Sequence, residues 1–386
     1  MMSKIVELEN KIKQLLSLLE ATKQLNSNLQ ISEVFDNILF QMVRVIRAEA
    51  GTLWVVDKEQ NEIVASAAYG PTSSTILNMK LKLDEGIVGK VISTGEPHLI
   101  EDVSKDPSWS KKADEKSGFK TKCMLTVPLM IQSKKMGALQ LINKNNGDFF
   151  TEEDTNLALS LASQSALALH NSQMYDELYQ LFLSLIRTLA KVLDARDPYT
   201  AGHSERVANY SILIARRMEL DSSICEELYI SALLHDIGKI GVPDDILRKP
   251  TRLTNEEYKI MQQHSVMGEE LLSNISSINV IKRAMETARS HHERLDGSGY
   301  PDHLVGGEIP YFARIVGVVD TFDAMTTVRP YSKGHSFKDA AQELMRCKGS
   351  LFDPKIVDIF TLILEECNYS VEELRIEGEQ WRKIYE

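Results

Sequence analysis

Cysteine is scarce in this sequence of 386 residues, and the few cysteines are far apart. The four are Cys123, Cys225, Cys347 and Cys367, and no two form a Cys-x-x-Cys pair. This spacing disfavours both a disulfide framework and a zinc knuckle. We therefore expect a protein of a reducing compartment, the cytoplasm.

Long hydrophobic runs and an excess of positive charge are also missing. No apolar stretch approaches the ~18 residues of a membrane span, and the N-terminal MMSKIVELENKIK has no signal-peptide core. The 44 Lys and Arg residues are outnumbered by 55 Asp and Glu, which gives a net charge of -11. Such a surface disfavours binding to nucleic acid or to an anionic membrane. An anionic substrate would need a local site made of metals and a few basic side chains.

The hydrophobic content of 43% is enough to build buried cores, and the length predicts two or three domains. Residues 1–31 have the pattern of an amphipathic helix, in which Ile5, Leu8 and Ile12 follow a 3-4 spacing. This helix either packs on its own domain or forms the seam of a parallel dimer, and the sequence favours neither.

Residues 32–175 alternate between helical and strand-like patterns, which predicts an α+β sheet domain. The runs rich in Val, Ile, Leu and Thr are residues 51–56, 62–69, 123–131 and 135–144, with a helical stretch at 86–94. The sequence TEED at Thr151 is a capping box that predicts the start of another helix.

Neither proline nor glycine occurs between Thr155 and Pro198. This predicts one long helix over residues 155–195, which we interpret as a connector. The segments that follow are rich in Leu, Ile and Ala and are broken by Gly and Pro, so residues 185–386 are predicted to be an all-α domain. Within it, residues 371–386 read as a short polar helix whose role the sequence leaves open.

Five of the nine histidines fall in four short segments of this helical domain, and carboxylates stand beside two of them. The long intervals between the segments each hold one or two helices, and a helix bundle can project such side chains into one pocket. Mixed imidazole and carboxylate ligands suit Fe, Mn, Zn or Ni. The candidate ligands are His203, His235, Asp236, His264, His291, His292 and Asp320.

Asp236 has two carboxylate oxygens and is able to bridge two cations. Two cations ~3.5–4 Å apart clamp a phosphoryl group and activate a water between them. Lys239 would stabilise the charge that develops on the phosphoryl group. Arg314 and Arg329 are candidate phosphate forks. The residues alone therefore predict a binuclear metal phosphohydrolase.

Two resemblances to known families extend this interpretation. The segment GIVGKVISTGEPHLIEDVSKDP, together with GALQLINKNNGDFFTEEDTNLALSLASQSALAL, resembles a GAF domain. Some GAF domains that bind cyclic nucleotides carry Asn-Lys followed by Phe-x-x-x-Asp-Glu. This chain has Asn143, Lys144, Phe150 and Asp154 but Thr155 in place of the glutamate. The domain therefore either senses an unknown ligand or only supports dimerisation.

The segments DPYTAGHSERV, LLHDIGKIGVPDDILRKP, HHERLDGSGYP and RIVGVVDTFDAMTTVRPY closely resemble the HD-GYP family of bacterial cyclic-di-GMP phosphodiesterases. The resemblance implies the same seven metal ligands, with Asp236 and Lys239 in catalytic roles. It also implies nucleotide contacts by Tyr300 and Arg329. We place Asp197, Glu293 and Asp323 beside the ligands, where they would orient them.

The resulting architecture is a GAF-like α+β sensor domain joined by a long helix to an all-α HD-type helix bundle. The expected activity is hydrolysis of cyclic-di-GMP to linear pGpG, with GMP as a further product left open. The expected cofactors are two divalent transition metals, Fe or alternatively Mn. The expected assembly is a homodimer through residues 1–30 and 155–195.

Two other functions remain open on the sequence. One is an HD-type phosphohydrolase for another cyclic dinucleotide. The other is a catalytically silent receptor for cyclic-di-GMP, which the intact ligand set disfavours. Some relatives carry a glutamate four residues before the first histidine to help hold a third metal. Tyr199 stands there in this chain, and a neutral phenol offers a divalent cation no charge, so two metals are predicted.

Overall fold

A computed structural model of the chain describes residues 31–57, 60–106, 114, 118–197, 202–274, 279–327, 334–370 and 372–374. The predictions for residues 1–30, for Tyr199 and Arg329, and for most of 371–386 lie outside these residues. Within the described part, the helices are too short or too polar to cross a membrane. The chain divides into two compact units, residues 1–179 and 180–386.

The first unit is built on one antiparallel sheet of six strands in the order β3-β2-β1-β6-β5-β4. The four long strands match the four predicted runs, and the predicted α+β class is confirmed. The short β3 and β4 were not predicted, because three residues are too few to show a period of two. The strands are β1 Ala48–Asp57, β2 Glu62–Tyr69, β3 Lys80–Lys82, β4 His98–Ile100, β5 Met124–Ile131 and β6 Lys134–Lys144.

Among the described residues, four helices accompany the sheet. They are α1 Ile31–Ile46, α2 Ser73–Ile76, α3 Gly86–Thr94 and the long α4 Glu152–Arg196, with 3-10 turns at Val103–Lys105 and Asn145–Gly147. The predicted capping box begins α4: the Thr151 amide donates to Asp154 Oδ2 at 2.8 Å, and the Asp154 amide donates to Thr151 Oγ1 at 3.3 Å.

Apolar side chains cover both faces of the sheet, because successive strand residues point to opposite sides. Leu53 shares a cluster with Ile38 of α1 and Ala158 of α4. Its neighbour Trp54 belongs to a second cluster with Val91 of α3. The sheet is therefore a central layer between two hydrophobic cores.

The second unit is all-α, as predicted. It contains the end of α4 and nine further helices among the described residues, with 3-10 turns at Ile237–Gly241 and Gly306–Glu308. These helices are α5 His203–Arg217, α6 Ser222–Leu234, α7 Asp244–Leu247, α8 Asn255–Gln262, α9 His264–Ser273, α10 Asn279–Ser290, α11 Tyr311–Thr326, α12 Phe337–Arg346 and α13 Pro354–Glu366.

Helix α11 is buried along much of its length, and one glycine lets it come close to a neighbouring segment. A Cβ built on Gly317 would lie 2.6 Å from the carbonyl oxygen of His291, closer than two such atoms can approach. Any larger residue would push α11 away from His291. Asp320 stands three residues further along the helix, so the same contact fixes the position of its carboxylate.

We expect Gly317→Ala to destabilise the protein, although alanine is the better helix former. Overpacking of this kind typically costs about 1–3 kcal/mol, and the displaced helix should also weaken metal binding. Thermal unfolding and metal content measure the two effects. Gly307→Ala is the matched control, because its Cβ would meet nothing within 4 Å. Equal stability of the two variants would contradict the role of the close contact.

Candidate metal centre

Four of the predicted histidine ligands lie at helix ends. His203 and His264 are the first residues of α5 and α9, while His235 and His291 directly follow α6 and α10. Each of these four side chains is at least nine-tenths buried. The bundle thus turns four helix ends inward, where they meet Asp320 from the middle of α11.

The seven predicted ligands form two adjacent groups. In each group, every residue contributes one donor atom, and these donor atoms all lie within 4.8 Å of one another. The structure therefore brings together every residue of the predicted set. The first group is His203, His235 and Asp320, and the second is Asp236, His264, His291 and His292.

The carboxylate of Asp236 belongs to the second group and also faces the first. Its Oδ2 is 3.5 Å from Nε2 of His203 and 3.3 Å from Nε2 of His235. Its Oδ1 is 3.4 Å from Nε2 of His264 and 3.8 Å from Nε2 of His291. One carboxylate thus directs one oxygen to each group, which is the arrangement expected of a bridging ligand.

Backbone carbonyls fix the orientation of three of the rings. Nδ1 of His235 lies 2.6 Å from the carbonyl oxygen of Ala232, and Nδ1 of His264 lies 2.6 Å from that of Met261. His291 repeats this contact with Ala288 at 2.9 Å. A carbonyl only accepts, so each Nδ1 carries a proton, and in the neutral form of each ring the lone pair is then on Nε2.

The Nε2 atoms of His235, His264 and His291 are buried, and none has a hydrogen-bond partner among the described residues. Buried polar atoms normally have a partner. Three lone pairs that converge on one carboxylate therefore fit a bound cation, and the mixed nitrogen and oxygen donors suit a transition metal.

The electrostatics also favour metal binding. Burial, together with the neighbouring His235 and His264, lowers the pKa of His291 to about 3. Burial also lowers the pKa of His264 and His292. Neutral imidazole is the form that coordinates a metal, so these three rings need to lose no proton on binding.

The charged groups of the site compensate one another. Burial alone would raise the pKa of Asp236, but Lys239, His235 and His203 hold it well below its usual range. Burial alone would lower the pKa of His203, but contacts with Asp236, Asp320 and Asp323 hold it well above. Asp236 is therefore ionised and ready to bind a cation.

The metal centre opens into a pocket of about 850 Å³. Lys239 lines it and places Nζ 2.5 Å from Asp236 Oδ2. Tyr300 also lines it, and its ring stacks on that of His292 with 4.7 Å between centroids. Asp197 is a third predicted residue in the wall. Three of the predicted catalytic, substrate-binding and orienting residues therefore face one space.

The other two carboxylates that we expected to orient ligands have different partners. Asp323 Oδ2 lies 2.7 Å from Nδ1 of His203, and its Oδ1 accepts from Nε of Arg206 at 2.6 Å. It therefore holds a predicted ligand directly. Glu293 instead accepts from the amides of Asp302 and Leu304 at 2.7 and 3.1 Å. It braces the turn after Tyr300 and orients no ligand ring.

The prediction that Arg314 binds phosphate is wrong. Its Nη1 donates to Asp353 Oδ2 at 3.0 Å, and it is not among the described residues that line the pocket. Arg314 stands six residues before Asp320 on α11, which turns its side chain about 120° away around the helix.

Sequence reasoning missed Arg294, which lines the pocket directly after His292 and Glu293. Its Nη1 donates to the carbonyl oxygens of His291 and Glu293 at 3.2 and 2.8 Å. Arginine is seldom buried, so the residue type alone gave no reason to place it in the site. Its place beside two predicted ligands was the available signal.

Comparisons with known proteins agree with this geometry. A family model described as "HD domain" matches residues 187–356, and one described as "GAF domain" matches residues 28–170.

Three curated relatives match at moderate identity. A "Cyclic di-GMP phosphodiesterase" of Thermotoga maritima is 39% identical over 50% of this chain and 52% of its own length. A "Probable cyclic di-GMP phosphodiesterase" of Vibrio cholerae is 30% identical over 67% of this chain and 60% of its own length. A "3'3'-cGAMP-specific phosphodiesterase 2" of the same species is 37% identical over 50% of this chain and 37% of its own length.

The match thus spans less than two thirds of each relative. The two family models show that the chain contains a GAF domain followed by an HD domain.

Proposed function

We propose that this protein is a metal-dependent phosphodiesterase that hydrolyses cyclic-di-GMP to linear pGpG. The observation that carries the proposal is the Asp236 carboxylate, whose two oxygens face two separate groups of buried donors beside an open pocket. The names of two of the relatives support the choice of substrate.

The proposed ligands are the seven clustered residues. When bound, two divalent cations polarise phosphoryl oxygens and make a hydroxide available at neutral pH. Two of the seven ligands are carboxylates and five are neutral or paired imidazoles. Two divalent cations would therefore leave the site with a net positive charge, which suits the anionic phosphodiester. The mixed donor set is compatible with iron, which we propose as the metal, and with manganese as the alternative.

The chain's own residues have separate tasks in this proposal. Asp236 would serve as a ligand of both cations. The Lys239 ammonium faces the oxygen of the phosphoryl group on which negative charge develops. Tyr300, stacked on His292, offers a flat apolar surface at the pocket wall for a base or ribose. Arg329 lies outside the described residues and stays a predicted nucleotide contact.

A second candidate substrate is another cyclic dinucleotide, 3'3'-cGAMP, which the name of one relative specifies. Both dinucleotides present the same phosphodiester to the metals and differ in one base. The metal-loaded protein can be incubated with each of them and the products followed by chromatography. This experiment distinguishes an enzyme for either substrate from a receptor that binds without turnover.

For the GAF domain we propose a regulatory role. The domain contains a partly open cavity of about 300 Å³, lined mainly by apolar side chains together with the charged residues Lys80, Glu85 and Asp114. The residues of the incomplete cyclic-nucleotide pattern do not line it among the described residues. Instead, Lys144 pairs with Asp154 at 2.5 Å and ties β6 to the start of α4. The ligand, if the domain binds one, would be small.

We also propose that the protein works as a homodimer through α4. Six apolar residues on one face of this helix are 44–61% exposed. Together with Asn171 and Thr188, they recur along the helix at alternating intervals of four and three residues. Such a repeat is the pattern of a coiled-coil seam. The exposed apolar members are Leu167, Met174, Leu178, Leu181, Leu185 and Val192.

Asn171 supports a parallel arrangement of the two helices. In a parallel pair it would meet its own copy, and the two amides could hydrogen-bond. In an antiparallel pair centred on this stretch it would instead face Thr188, whose hydroxyl already donates to the carbonyl oxygen of Ser184.

The first prediction from the site contrasts Asp236→Ala with Lys239→Ala. The Asp236 variant should lose metal and all turnover, because it lacks the shared ligand. The Lys239 variant should keep two metals per chain and lose rate by about 10²–10³, as expected for one charge-stabilising donor. Elemental analysis and product chromatography measure both effects.

Lys249→Ala is the control, because Lys249 also lines the pocket but pairs with Glu257 at 2.6 Å. It should retain most of the activity. Near-normal turnover in metal-replete Asp236→Ala protein would contradict the bridging role. Loss of metal from Lys239→Ala would show that the lysine supports the ligands and does not contact the phosphoryl group.

The seam predicts specific disulfide cross-links, since the four native cysteines are buried. Asn171→Cys and Thr188→Cys should each form a covalent dimer under mild oxidation if the helices are parallel and in register. Ser223→Cys, exposed on α6, should not. Cross-linking only in a mixture of the two seam variants would indicate an antiparallel pair. A monomer mass by light scattering at micromolar concentration would exclude the dimer.

A further inference from the structure

Arg196 is the last residue of α4, and its guanidinium group holds a backbone segment of the metal centre. Nη1 donates to the carbonyl oxygens of Lys239 and Ile240 at 2.9 and 2.6 Å, and Nη2 donates to that of Val242 at 2.6 Å. Nε donates to Asp244 Oδ1 at 2.9 Å. One side chain thus contacts four residues within a stretch of six.

This segment overlaps the 3-10 turn Ile237–Gly241, which carries Lys239. Its other side is already fixed by close packing. A Cβ built on Gly238 would lie 1.9 Å from the carbonyl oxygen of His264 and 2.5 Å from the amide nitrogen of Gly268. The turn therefore lies between the backbone of α9 and the guanidinium of Arg196.

The turn has little other support on the side of Arg196. The Lys239 carbonyl also accepts from the Val242 amide at 3.1 Å, but the Ile240 side chain is 54% exposed and packs little. Without the guanidinium, these carbonyls would turn to water and the backbone would gain freedom. The Lys239 ammonium, which must stay beside Asp236, would then occupy its position for less of the time.

We infer that Arg196 is a positioning residue for the proposed phosphodiesterase reaction. It fixes the backbone of the turn Ile237–Gly241, so that the Lys239 ammonium faces the phosphoryl group. The inference rests on the proposed function of Lys239. It assigns no substrate contact to Arg196 itself.

Arginine suits this task because its planar group holds five N–H donors in fixed directions. Lysine at this position would bring one ammonium to one or two of the carbonyls and would leave the rest without a partner. Glutamine is shorter and would reach even fewer. We therefore predict that Arg196→Gln lowers kcat more than Arg196→Lys does.

The test compares Arg196→Gln with Arg187→Gln. Arg187 lies nine residues earlier on α4 and contacts Tyr229 of α6, with Nε 3.2 Å from Oη and the guanidinium over the ring. Both substitutions remove an arginine that anchors α4, but only the first frees the turn. We expect Arg196→Gln to keep its metals and lower kcat by about 10-fold or more, with a smaller change in KM. Arg187→Gln should leave kcat within about twofold.

A double-mutant cycle then asks whether Arg196 acts through Lys239. In the Lys239→Ala background, Arg196→Gln should change the residual rate by less than about twofold, because no ammonium remains to be positioned. A loss as large as in the wild-type background would overturn the inference. So would an equal loss of kcat in Arg187→Gln.

Amide hydrogen exchange gives a readout that does not depend on activity. The amides of residues 239–242 should exchange faster in Arg196→Gln than in the wild type, while those of α5 stay unchanged. Unchanged exchange in the turn would refute the inference whatever the kinetics. If Lys239→Ala retained full activity while the turn still loosened, the proposed role of Lys239 would fail, and the structural hold of Arg196 on the turn would remain.

Discussion

The arrangement of the helical domain depends on one buried carboxylate. Asp236 lies within 4 Å of four imidazole nitrogens and one ammonium. Isolated, such a charge would be very unfavourable in a protein interior. The surrounding donors make it tolerable, and each comes from a different helix end or turn. The ends of α5, α6, α9 and α10 therefore have to meet at one point, which restricts how the bundle can pack.

The backbone supports this meeting point more than side-chain contacts do. Helix-end carbonyls hold three histidine rings, and Arg196 holds the carbonyls of the turn that follows Asp236. These contacts use main-chain atoms, whose positions follow from helix geometry. A site built in this way tolerates changes in apolar packing while its polar atoms stay in place.

The sequence predicted the fold class, the four long strands and the full set of clustered donors. That success has a physical basis: histidines in short, well-separated motifs can converge only if helices bring their ends together. Arg314 shows one limit of prediction from sequence. The direction of its side chain depends on its angular position around the axis of α11, which the motif does not reveal. Arg294 shows another, since burial of a guanidinium requires carbonyl partners that lie near it only after folding. The contacts of Arg196 join residues about 45 positions apart and leave no local pattern.

The close approach at Gly317 sets a separation between α11 and the segment of His291 by direct contact of main-chain atoms. Such a contact sets a lower limit on the distance between the helix and the segment. Main-chain atoms cannot be compressed, and they cannot move aside by changing rotamer. Exchanges among Val316, Val318 and Val319 around it would alter how firmly the helix is held, but they would hardly change where it stops. The distance between the donor atoms of Asp320 and His291 should therefore change little when apolar residues of the hydrophobic core are exchanged.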